Sequence, residues 1–124
     1  MKDRINRWIS EFIAEYSKQS EISTEWGEPI VGFADAYSPY IQNLPELISS
    51  SHGRPQDIME DAASVIAYFV PFTRALAKSN NNGGEYASQQ WADAYEQTNA
   101  MFGRLNSYII DRLSEYGYRG AVHP

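Results

Sequence analysis

The chain contains no cysteine. That excludes disulfides, thiolate metal sites, iron–sulfur ligation by its own residues and cysteine nucleophiles. Histidine is almost as scarce. His52 and His123 lie far apart, with no His or Glu at ligand spacing, and a metal centre needs three or four converging ligands. Positive charge is thin: ten Lys and Arg against sixteen Asp and Glu give a formal charge of −6 and a pI near 4.8. The basic residues form no run, whereas a free-standing nucleic-acid binder shows a basic patch. No stretch approaches the roughly 18 apolar residues of a membrane span. The start, Met1-Lys2-Asp3-Arg4, leads into an interrupted amphipathic pattern instead of a signal-peptide core. A cytoplasmic location with no membrane partner is the default expectation. Phosphate-binding patterns are missing too: there is no Gly-x-Gly-x-x-Gly, and no Gly-Lys-Ser/Thr follows Gly83-Gly84. No Ser/His/Asp arrangement stands out, and Asp35, Asp57 and Asp61 have no evident basic partner. No catalytic residue is assigned.

What is present fits one folded domain spanning residues 1–124: 43% of residues are hydrophobic and 21% charged. Nine tyrosines favour contact surfaces and pocket walls over a purely aliphatic core. The organising stretch is Ser64-Val65-Ile66-Ala67-Tyr68-Phe69-Val70-Pro71-Phe72. Its crowded β-branched and aromatic residues predict a strand buried on both faces, with Pro71 ending the pairing.

The remaining elements follow from period and punctuation. Ile5, Trp8, Ile9, Phe12, Ile13 and Tyr16 recur at helical spacing and predict a helix over 3–19. Such a helix packs on a sheet or meets a partner. Residues 20–29 read as a turn and 30–34 as a short strand, where Gly32 allows a backbone or ligand to come close. Residues 40–49 suit one or two helical turns broken by Pro45, and 49–55 a loop leading to a turn opened by Pro55. Residues 73–78 suit another helical turn. Ser79-Asn80-Asn81-Asn82-Gly83-Gly84 reads as a flexible loop or a lid. A dominant helix is expected over 88–116, capped by Ser88 and Gly117, with Gly103 admitting a close neighbour. Tyr118 to Val122 looks like the start of a third strand. The expected class is α/β, with α+β as the alternative: a small central sheet of about three short strands covered by helices, right-handed crossovers if parallel.

The order Ala62-x-Ser64-Val65-Ile66-x-Tyr68-Phe69-x-Pro71-Phe72, then Ser79-Asn80, then Trp91-Ala92-x-Ala94-Tyr95-x-x-Thr98-Asn99, resembles the amino-terminal half of the epoxyqueuosine reductase-like iron–sulfur proteins. Upstream, His52-x-Arg54-Pro55 followed by Ile58-Met59 and Ala62 is similar to the His/Arg/Pro segment before the same strand there. The likeness runs over roughly residues 24–120. It implies an amino-terminal domain of a longer protein, excised or encoded alone, that contributes walls of a cofactor or substrate pocket. The family's 4Fe-4S clusters sit in a carboxy-terminal ferredoxin-like region, which would be this domain's partner; cobalamin is a second cofactor the likeness implies. The implied reaction is reductive removal of an epoxide oxygen from a modified tRNA base in the queuosine pathway. The acidic balance opposes this, so tRNA is expected as a partner only in the full-length context and the isolated chain is expected to be inactive. The alternative is a non-catalytic interaction or dimerisation module, with a homodimer as its assembly.

Candidate ligand-binding residues are His52, Arg54, Tyr68, Asn80, Trp91, Tyr95 and Asn99. His52 has the side chain for proton transfer near neutrality. Arg54 either anchors its loop through an ion pair or meets a phosphate or carboxylate. Trp91, Tyr95 and Asn99 fall at fourfold helical spacing, serving either as core or as the wall of a pocket beside Asn80.

Overall fold

A computed structural model describes residues 1–43, 54–73 and 84–122, with the backbone alone for 84–88 and 90. The elements are α1 (Lys2–Tyr16), β1 (Ile30–Asp35), α2 (Pro39–Gln42), α3 (Pro55–Ile58), β2 (Ser64–Phe69) and α4 (Gly84–Glu115). The fold is α+β.

Two helices carry most of the core. α1 buries Ile5, Trp8, Ile9, Ile13 and Tyr16, and α4 buries Met101, Leu105, Ile109 and Leu113 along one line of fourfold steps. The pair runs antiparallel. Trp8 meets Tyr116 at 5.8 Å between ring centroids and Phe12 meets Tyr108 at 5.1 Å, so the start of α1 lies beside the end of α4. Arg112 lies over Trp8, 5.2 Å from its centroid, and covers one side of this contact.

The sheet forms the second layer. β1 and β2 pair antiparallel, with Val31 opposite Tyr68 and Phe33 opposite Ile66. These four residues are half-buried and face the helices. The other face carries Ile30, Gly32, Ala34, Val65, Ala67 and Phe69. Ile30 is 65% exposed and Phe69, directly opposite it, 63% exposed. The strand expected to be buried on both faces is therefore covered on one. A run of β-branched and aromatic residues marks a strand but does not say whether its second face is covered. The two strands are antiparallel neighbours, so the condition for right-handed crossovers does not arise and the α+β alternative holds.

The expected third strand is absent among the described residues: 118–122 continue as irregular chain after α4. Residues 20–29 are also more than a turn. Trp26 bridges to Phe72, and Gly27 N–H donates to the Pro71 carbonyl at 2.7 Å. Pro71 cannot donate a ladder bond, but it still accepts one, so pairing resumes beyond it. A Cβ on Gly27 would meet Pro71 Cγ at 3.2 Å, which suits glycine to this approach.

α4 begins at Gly84, so Ser88 lies inside the helix and does not cap it. The carboxy-terminal end follows the expected glycine cap. Gly117 has φ +84°, its N–H donates to Ser114 O, and Tyr118 N–H donates to Leu113 O, each at 3.0 Å. Gly103 has nothing within 4 Å of a Cβ built on it, and Gly32 meets only Ala67 O at 4.0 Å. Neither supplies the close approach the sequence suggested. The expected turn at 73–78 and the loop at 79–84 lie, all but Thr73 and Gly84, outside the described residues, as do 44–53; Gly84 opens α4 and is not loop.

Candidate functional site: an apolar cavity with a basic rim

The segments between the strands are tied by side-chain amides. Ser38 opens α2 and accepts from Ile41 N–H at 3.3 Å. At its end Gln42 donates to Ala36 O and to Gln56 Oε1, both at 2.7 Å, and Gln56 donates to Ala62 O at 3.0 Å. α2, α3 and the approach to β2 are thus clipped together. Arg54 precedes α3. Its backbone N–H donates to Asp57 Oδ2 at 2.8 Å, placing a carboxylate at the helix start, and its Nε donates to Gln42 O at 2.9 Å.

These ties hold α3 above a cavity of about 450 Å³, floored by β2 and walled by α4 and the tail after it. Its walls are mainly aliphatic, among them Ile58, Ile66, Ile109, Ile110 and Leu113. Among the described residues, the polar side chains on the lining are Arg54, Ser64, Tyr68, Asn106 and Arg119, with no Asp or Glu. Tyr68 projects from the inner face of β2. Its hydroxyl donates to Asn106 Oδ1, and its ring meets Phe102 edge-on at 5.5 Å. Burial pushes the Tyr68 phenol above its ordinary pKa, so at neutral pH it acts as a protonated donor. Arg119 sits at the exposed rim, paired with Asp61 at 3.3 Å.

The cavity brings together two of the expected site residues, Arg54 and Tyr68. Trp91 is half-buried at the opposite end of α4, edge-on to Phe72 at 5.1 Å. Tyr95 is 67% exposed and Asn99 is exposed. The buried line of α4 runs through Ala94 and Thr98, which turns Tyr95 outward, and these residues lie away from the cavity of Arg54 and Tyr68; the expected wall beside Asn80 involves a loop outside the described residues. His52 and Asn80 lie outside the described residues. Asn106 and Arg119 were not anticipated. For Asn106 a signal existed: a lone amide set among Phe102, Leu105 and Ile109 on a core-facing stretch needs a partner.

Gln97 was also missed. Its Oε1 accepts from Thr24 N–H at 2.9 Å, from Ser23 N–H at 3.1 Å and from the Thr24 hydroxyl. The next residue, Thr98, accepts from Trp26 Nε1 at 3.0 Å. Two successive helix positions therefore dock the segment that leads into β1.

No three His, Asp or Glu converge as a metal ion would require among the described residues. The chain offers no thiolate to an iron–sulfur cluster. No helix among the described residues is long and apolar enough to cross a membrane. Comparisons with protein-family models, with curated proteins and with solved structures found no match.

Proposed function

We propose that this chain is a pocket-bearing domain of an epoxyqueuosine reductase-like oxidoreductase. It supplies walls of the substrate site, while the 4Fe-4S clusters belong to a ferredoxin-like region that it meets as a partner. One observation supports the reading. Two of the sequence segments that carry the resemblance, Arg54-Pro55 with Ile58-Met59 and Ser64-Val65-Ile66 with Tyr68, border the same cavity. On this reading the isolated chain has no turnover, and tRNA binds only to the complete protein. The test is the reading frame beyond Pro124 in the source genome. A Cys-x-x-Cys-x-x-Cys-x-x-x-Cys-Pro run supports the reading; a stop codon with no cluster-bearing frame beside it overturns it.

The outer sheet face favours a second reading, a non-catalytic dimerisation module. Its six residues are all uncharged, and Ile30 and Phe69 stand exposed together at one end. A light-scattering mass of two chains that reverts to one in Phe69→Lys would favour this reading.

A further inference from the structure

We infer that the cavity between β2 and the carboxy-terminal half of α4 binds a small amphipathic anion: a compact apolar body bearing one carboxylate, sulfonate or phosphate group. Three observations converge on this class. The volume of about 450 Å³ lies in the range of small-molecule sites, and the walls are aliphatic. The charge of the lining opposes that of the chain. The protein carries a formal −6, yet among the described residues the charged ones on the lining are Arg54 and Arg119, the second of them paired with Asp61.

The unused hydrogen-bonding capacity is also mostly donor. Arg54 spends Nε on Gln42 O, which holds the guanidinium from behind. Its two terminal amino groups make no hydrogen bond among the described residues, and that edge of a guanidinium matches an oxyanion. Asn106 Oδ1 is occupied by the Tyr68 hydroxyl, leaving the Asn106 amide N–H groups to donate. Ser64 adds a hydroxyl that can do either. A neutral apolar ligand would leave these donors unpaired, and a cation would face the Arg54 guanidinium.

This inference goes beyond the family reading and stands apart from it. Anion binding without a downstream cluster frame would retain this proposal and remove that one, and the converse result would do the reverse.

The test uses the whole chain and two fluorescent probes of similar body: 1-anilinonaphthalene-8-sulfonate, an anion, and N-phenyl-1-naphthylamine, which is neutral. The sulfonate is expected to bind saturably at one site per chain. Octanoate and 2-naphthoate should displace it and separate alkyl from aromatic bodies, while octanol and 2-naphthalenemethanol should do so at least tenfold less well. Arg54→Met should weaken the sulfonate at least tenfold and leave the neutral probe within twofold. Ile109→Trp, which fills the cavity, should abolish both signals. Equal displacement of the wild-type complex by acids and their alcohols overturns the proposal without any variant. Unsaturable binding overturns it as well, as does a folded Arg54→Met protein that retains wild-type affinity for the sulfonate.

Discussion

Replacing Gln97 by alanine tests whether α4 holds the segment before β1 through one side chain. Gln97 Oε1 accepts from Thr24 N–H, the Thr24 hydroxyl and Ser23 N–H. Thr24 is 4% exposed, so water cannot readily replace the lost partner, whereas Ser23 is exposed and can hydrate. A hydrogen bond contributes about 1 kcal/mol net, and a buried donor left unmade costs about 1–3 kcal/mol. The two bonds to Thr24 thus set the loss at about 2–3 kcal/mol, out of a typical total of about 5–15 kcal/mol. With a urea slope of about 2 kcal/mol/M, the unfolding midpoint should fall by about 1–1.5 M. Gln97→Glu keeps an acceptor facing both Thr24 donors and gives up only the amide donations to Glu21 O and Ser23 Oγ at the surface. It should cost under about 1 kcal/mol. A loss below about 0.5 kcal/mol in Gln97→Ala, or equal losses in the two variants, would refute the reasoning.

Gly103 lies inside α4 with open space where a side chain would project. Gly103→Ala should raise stability by about 1 kcal/mol, seen as a higher melting temperature; a decrease would place something against that face. Tyr68 supplies a pH dependence. Burial raises the folded phenol above the unfolded value of about 10, so the native state holds the proton more tightly. That stability is fully present below about pH 10 and is lost as the pH rises through the higher folded value. The difference in urea stability between wild type and Tyr68→Phe should therefore shrink from about pH 10 upward. A difference that stays constant from about pH 8 to 11 would show that the phenol is not desolvated in the folded chain.

The helices were legible because their pattern is long and of one period. Ile5, Trp8, Ile9, Ile13 and Tyr16 can share a face only on a helix, and they line the core. The strands were legible in position but not in setting. Within β2, Ile66 and Tyr68 turn to the helices while Ala67 and Phe69 turn out, an alternation hidden by the hydrophobicity of both sets. Parallel or antiparallel pairing depends on which strand lies alongside, and the composition of one strand does not carry that. The site was half legible for a related reason. Arg54 and Tyr68 come together because they flank the same short link into β2. Trp91, Tyr95 and Asn99 were grouped by helical spacing alone, and spacing fixes a line on a cylinder without saying which way the line faces. Gln97 left no signal: on a helix rich in polar residues, only the fold shows that a loop amide points at it.

α4 organises both ends of the molecule by different means. Near its middle, Gln97 and Thr98 fix the chain that becomes β1, so the position of the first strand depends on side-chain hydrogen bonds. At its end, the cap at Gly117 reverses the backbone and lays Arg119 to Val122 along the cavity. A Cβ on Gly120 would come within 3.1 Å of Ile110 Cγ1, so the tail lies close against the helix it has left. The cavity wall and the helix cap are therefore one structure, and its rim is joined to the α3 side by the exposed Arg119–Asp61 pair alone among the ion pairs of the described residues. Exposed pairs of this kind contribute under about 1 kcal/mol. The tail is therefore placed by the Gly117 cap and by its packing on Ile110 more than by this pair.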